Sequence, residues 1–143
     1  MKTIFALLAG LLALSPVTAA LACSCRPLSS AAEHVGHADA IFRGRVVASV
    51  PDPAGPETFS ITTFELLAPL KMPSQWALPP ERIEVRHASL RTGPQCAIWY
   101  ERGQEVLVAA RMGQDGNLHT GSCDAPRWPE TDYRVALRLA PEP

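Results

Sequence analysis

EVLVAARM (Glu105–Met112), GQDGN (Gly113–Asn117) and LHTGSC (Leu118–Cys123) follow one another without a break, and their reading decides the fold. The first is a short apolar run rich in β-forming residues, the most apolar in the mature chain and expected to be a central strand. Gln114-Asp115-Gly116-Asn117 is a hairpin turn signal, because Asp-Gly supplies the positive φ that tight turns need. Leu118–Cys123 is the returning strand. Upstream, AIFRGRVVASV (Ala40–Val50) reads as a strand with Gly44 as a candidate bulge, and TFSITTFELLAPL (Thr58–Leu70) as a second long strand. Pro51–Pro56 is the turn between them. Residues Glu81–His87 alternate through Ile83 and Val85 and make a third. Two helices frame the strands. Ser29–His37 is capped by Ser29 or Ser30, with Glu33 in its first turn and Gly36 near its end. Thr131–Leu139 is amphipathic, with Tyr133, Leu137 and Val135 expected inward and Thr131 or Asp132 as cap. Five strands with one early and one late helix predict a small closed or nearly closed barrel.

The chain has 143 residues, 14 of them prolines, which disfavours a helical bundle. Residues 1–22 read as a signal peptide. Lys2 starts it, Ile4–Leu14 is its apolar core, Ser15-Pro16 breaks it, and Ala20 and Ala22 are the small residues a signal peptidase requires. That core is well short of the ~20 residues that span a bilayer, and no other segment is long enough. Export is expected, to the periplasm or the exterior. Removing 22 residues leaves 121, a single domain over 23–143 that is expected to be monomeric. Without Lys2 there are 12 basic and 14 acidic residues, a net charge of −2 with neutral histidines. No basic stripe is visible, which argues against a nucleic-acid partner.

All four cysteines, Cys23, Cys25, Cys96 and Cys123, lie in the exported part, and an even number there points to two disulfides. Cys23 and Cys25 share a face of an extended segment and do not bridge each other comfortably. Each is expected to reach one of the distant cysteines, which leaves two pairings. Cleavage after Ala22 would make Cys23 the N-terminus, with an α-amine beside its own carbonyl oxygen.

Three features together resemble the tissue inhibitors of metalloproteinases and, more broadly, the netrin-like module. They are Cys23-Ser24-Cys25-Arg26-Pro27 directly at the cleavage site, the spacing of Cys96 and Cys123 from it, and the run from Gly103 through Val108 and His119 to Asp124. The resemblance covers essentially the mature chain at the level of the inhibitors' N-terminal domain. It implies a five-stranded OB-type barrel with disulfides Cys23–Cys96 and Cys25–Cys123. It also implies a mode of action, in which the Cys23 amine and carbonyl chelate the catalytic zinc of a target metalloprotease. Ser24 would enter the adjoining specificity pocket, and Gly93-Pro94-Gln95 would widen the contact. The chemistry is sound. An open catalytic zinc keeps a water that a chelate can displace. The α-amine has a pKa near ~7.7–8.0, so deprotonating it costs little at neutral pH.

The chain departs from that family in four ways. Its four cysteines provide no third disulfide, a second domain is not expected, the Pro51–Pro56 loop is short, and Arg26 places a charge where a smaller or apolar residue is usual. The alternative function is a netrin-like binding module for another extracellular or envelope partner. A cysteine at a new N-terminus can also be lipidated, although lipoprotein sites prefer Leu at −3, where Ala20 stands. No cofactor is expected. The cysteine spacing lacks the C-x₂-C knuckles of zinc sites, and bridged cysteines have no thiolate for catalysis. His34 and His37 are best explained as a solvated helix face, and His119 as a rim residue. Trp76, Trp99 and Trp128 are expected as core or rim packing. Glu101, Glu105, Asp115 and Asp124 form no recognisable acid/base pair, so an enzyme is the weakest class.

Overall fold

A computed structural model describes residues 23–55, 58–89 and 96–140. The 1–22 segment assigned to a signal peptide and the Gly93-Pro94-Gln95 loop lie outside the described residues. The elements in chain order are α1 (Ala31–His37), β1 (Ala40–Pro51), β2 (Phe59–Lys71), β3 (Arg82–Ala88), β4 (Glu105–Met112), β5 (Leu118–Thr120) and α2 (Glu130–Ala136). The five strands close in the order β1-β2-β3-β5-β4. Neighbours are antiparallel except β3 and β5, which run parallel. This is the expected five-strand barrel with an early and a late helix.

Alternation sorts the strand residues onto two faces. Phe42, Val46, Phe64, Ile83, Val85, Val108 and Leu118 fill the interior. Ile41, Leu70 and Ala109 point outward, where α1 and α2 cover them through Ala31 and Tyr133. Both faces at the start of β1 are therefore buried, which is why its apolar pattern is only partly alternating. The register of β1 against β2 shifts between Arg43 and Gly44, at the expected bulge. A Cβ on Gly44 would stand 3.0 Å from the Phe64 Cβ and 3.1 Å from the Phe42 ring. Glycine lets these two rings meet edge to face across the interior, with centroids 5.7 Å apart. Outside, Arg45 reaches both neighbouring strands, to Glu65 at 2.8 Å and Glu105 at 2.7 Å.

Several local expectations are corrected. Strand β5 ends at Thr120 rather than Cys123, because the chain turns over Gly121–Asp124 to bring Cys123 to its partner. Helix α2 begins at Glu130 after Pro129, and neither Thr131 nor Asp132 caps it. Val135 is 77% exposed and faces solvent, whereas Tyr133 is fully buried. The helix stops at Ala136, with Leu137 as its C-cap, because Arg138 takes φ 55°. The amides of Arg138 and Leu139 then turn back to the carbonyls of Val135 and Arg134, as in a Schellman motif. Among the described residues no helix is long and apolar enough to cross a membrane.

Candidate functional site

Residues 23–30 run in an irregular segment ahead of α1. Ser24, Arg26 and Pro27 are exposed, whereas Cys23 and Cys25 are partly covered. Cys23 is bonded to Cys96 and Cys25 to Cys123, with Cα separations of 5.4 and 5.2 Å, the pairing that the resemblance implies. The two anchors are themselves joined, since the Ser122 amide donates to the Cys96 carbonyl at 3.3 Å. Ile98, just beyond Cys96, bridges to Ser89 at the end of β3. The tip Cys23-Ser24-Cys25 is thus clamped at both cysteines, with Ser24 projecting between them. No described cysteine is free.

Downstream, the tip is held by the start of α1. Ser30 is the N-cap and accepts the Glu33 amide at 3.1 Å. The Glu33 carboxylate reaches back to the amide and hydroxyl of Ser29, both at 2.8 Å, a variant of the capping box. Those two hydrogen bonds hold its pKa below the ordinary value. The Arg26 guanidinium lies 3.5 Å from the same carboxylate. A groove of about 320 Å³ runs beside the tip, lined by Ser24, Arg26, His37, Ala38, Arg111 and Asp124 among others. Arg111 and Asp124 pair across it at 3.0 Å.

The expectation of a solvated His34/His37 face fails for His34, which is 2% exposed. Its Nδ1 lies 2.7 Å from the Tyr133 hydroxyl, which in turn accepts the Arg127 amide at 3.3 Å. Its ring also hydrogen-bonds the Asp124 backbone. The ring thereby joins α1, α2 and the segment after Cys123, with Trp128 tilted against it. Burial lowers its pKa. Lys71, at the end of β2, donates to the carbonyls of Val35 and Ala38 and so closes the C-terminal end of α1. Nothing in the sequence pattern marked these partners, because both depend on contacts across long stretches of chain.

At the β1–β2 connection, the Asp52 carboxylate accepts the Ala54 amide at 2.9 Å and meets Arg86 at 3.3 Å. Arg86 also pairs with Asp115 at 2.7 Å, and Asp115 lies 2.9 Å from His119. Hydrogen bonds from Asn117 and then His119 hold the Asp115 carboxyl far below the usual range. The β1–β2 and β4–β5 connections are therefore both tied to β3, and His119 is the rim residue expected. His87, by contrast, is interior, with Nε2 2.7 Å from the Thr62 hydroxyl and a pKa lowered by burial. Trp76 and Trp128 pack against the two cores, whereas Trp99 is 51% exposed and so is not a core residue. It follows Ile98, whose bridge to Ser89 turns the neighbouring Tyr100 inward against Phe64 and His87. Among the described residues no cluster of three or more His, Cys, Asp or Glu side chains has the arrangement to hold a metal ion.

The family model described as tissue inhibitor of metalloproteinase matches residues 21–131. The chain belongs to this family. The match begins just before Cys23 and runs through all four cysteines and the five strands into α2. No curated protein matches the chain.

Proposed function

We propose that the protein is an exported metalloendopeptidase inhibitor whose mature N-terminus is Cys23. The observation that carries this reading is an exposed Ser24 held between two disulfide-anchored cysteines, in a chain of this family. After cleavage behind Ala22, the Cys23 amine and carbonyl would chelate the target's zinc, displacing its water, and Ser24 would occupy the adjoining pocket. Arg26 and Pro27 would continue along the cleft, with Gly93, Pro94 and Gln95 as a further contact. The disulfides order the tip before binding, so less conformational entropy is lost in the complex. The protein supplies no metal and performs no chemistry of its own. It blocks, as a single domain over 23–143.

Adding one alanine before Cys23 moves the amine off the metal. Inhibition is expected to weaken by at least about a hundredfold, which corresponds to losing only ~3 kcal/mol. Equal potency of native and extended forms would sink the reading. Intact mass before and after reduction checks its premises, reporting cleavage, an unmodified amine and two disulfides. A lipid adduct on Cys23 would instead mean a membrane anchor. The second reading, a netrin-like module for another envelope or extracellular partner, draws on the β1–β2 connection, which is short and tied back to β3 through Asp52 and Arg86. Indifference of every protease tested to Ser24→Arg would favour it.

A further inference from the structure

Arg26 is the one charged side chain in the segment Cys23–Pro27, and its side chain is 72% exposed. Its backbone position is set by the adjacent Cys25–Cys123 bridge. Among the described residues it has one ionic partner, Glu33, at 3.5 Å. That contact is weak by geometry and exposure, and the Glu33 carboxylate is already engaged by the Ser29 amide and hydroxyl at 2.8 Å. Elsewhere along the groove the charges are matched, since Arg111 is held by Asp124. The guanidinium therefore rests against a partner it can leave, with most of its donors turned outward. Arginine in that position suits bidentate pairing with a carboxylate.

We infer that Arg26 is a specificity-determining residue, selecting metalloproteases that carry a carboxylate on the rim of the active-site cleft. This rests on the inhibitory reading of the tip. On docking, Arg26 exchanges the loose Glu33 contact for the target's carboxylate, and a basic rim is rejected by like-charge repulsion. Glu33 acts as a placeholder. It holds the guanidinium beside the groove in the free protein and competes with the target for it.

The test measures association rates of the native protein, Arg26→Glu, Glu33→Gln and the alanine-extended form. The probes are two zinc metalloendopeptidases of known structure, one with an acidic and one with a basic cleft rim, with circular dichroism confirming the fold of each variant. With the acidic-rim enzyme in about 20 mM salt, Arg26→Glu is expected to slow association about tenfold, and the difference should shrink to under about twofold near 0.5 M. Glu33→Gln is expected to speed it, since the competitor is gone. With the basic-rim enzyme Arg26→Glu should be faster than native. A purely structural role for the pair would slow both variants alike, and that result overturns the inference. If the native form inhibits, the extended form does not, and Arg26→Glu leaves the preference between enzymes unchanged, the inference falls while the tip reading stands. If the extended form inhibits as well as the native, both fall.

Discussion

His34 and His87 are buried in different parts of the molecule, one between the helices and one inside the barrel, and burial lowers the pKa of both. A histidine held neutral in the folded state takes up its proton more readily once unfolded. Its contribution to stability is therefore complete above the unfolded value near 6.5 and is lost as pH falls through the folded value. Urea midpoints measured between pH 8 and 5 should be flat above about 6.5 and decline below it, by at most ~1.4 kcal/mol per pH unit for each histidine. Glu33 and Asp115 are shifted down from ordinary values of 4.5 and 3.8, so their losses come at more acid pH and leave this window to the histidines. A midpoint independent of pH from 8 to 5 would contradict the burial of both rings. Gly44 offers a second test. Because an added methyl would press on the Phe64 Cβ and the Phe42 ring, Gly44→Ala is expected to cost about 1–3 kcal/mol, seen as a lower thermal midpoint. Sequence alone marked Gly44 as a bulge, since a glycine inside a β-rich run is a local signal. It misplaced His34, because a histidine at helical spacing does not reveal that a tyrosine 99 positions later will cover it.

The amphipathic pattern of Thr131–Leu139 predicts a helix running to Leu139. Helix α2 ends at Ala136, with Leu137 as C-cap and Arg138 in the left-handed region. For a non-glycine residue that conformation costs roughly 1–2 kcal/mol, whereas glycine adopts it freely but loses about 0.5–1 kcal/mol more chain entropy on folding. Arg138→Gly should therefore raise stability by up to about 1 kcal/mol, measurable by urea denaturation, and a clear loss would show that the Arg138 side chain contributes more than its backbone costs. The strands were easier to read. Each of the first four lies within about a residue of its expected bounds, since alternation and flanking prolines are carried by neighbouring residues. The fifth is shorter than its sequence predicts, because Gly121-Ser122-Cys123 is compatible with a strand. Its turn is imposed by the bond from Cys123 to Cys25, a constraint from 98 residues away.

Across the whole molecule, the bridges close spans of 73 and 98 residues, the kind of long loop whose restriction lowers the entropy of the unfolded chain most, by roughly 4–5 kcal/mol each in the chain-entropy model. Replacing Cys23 and Cys96 together by serine should lower unfolding free energy by about 2–5 kcal/mol and, on the proposed function, weaken inhibition as well because the tip loses its clamp. Unchanged stability in a denaturation series would mean that the barrel alone orders the tip. The two quantities separate the structural from the functional role of the bridge. What local order could specify was specified by the residues themselves: the strands, the Asp115-Gly116 turn, the bulge at Gly44, and a pair of cysteines beside a proposed cleavage site. Spacing alone left two disulfide pairings, and the family resemblance implies the one the structure shows, whereas the burial of His34 and His87, the Asp52–Arg86–Asp115 ties and the exposure of Trp99 required the folded molecule. Periodicity and turn chemistry act between neighbours along the chain, whereas closure of the barrel determines which distant residues share a face, a pocket or a bond.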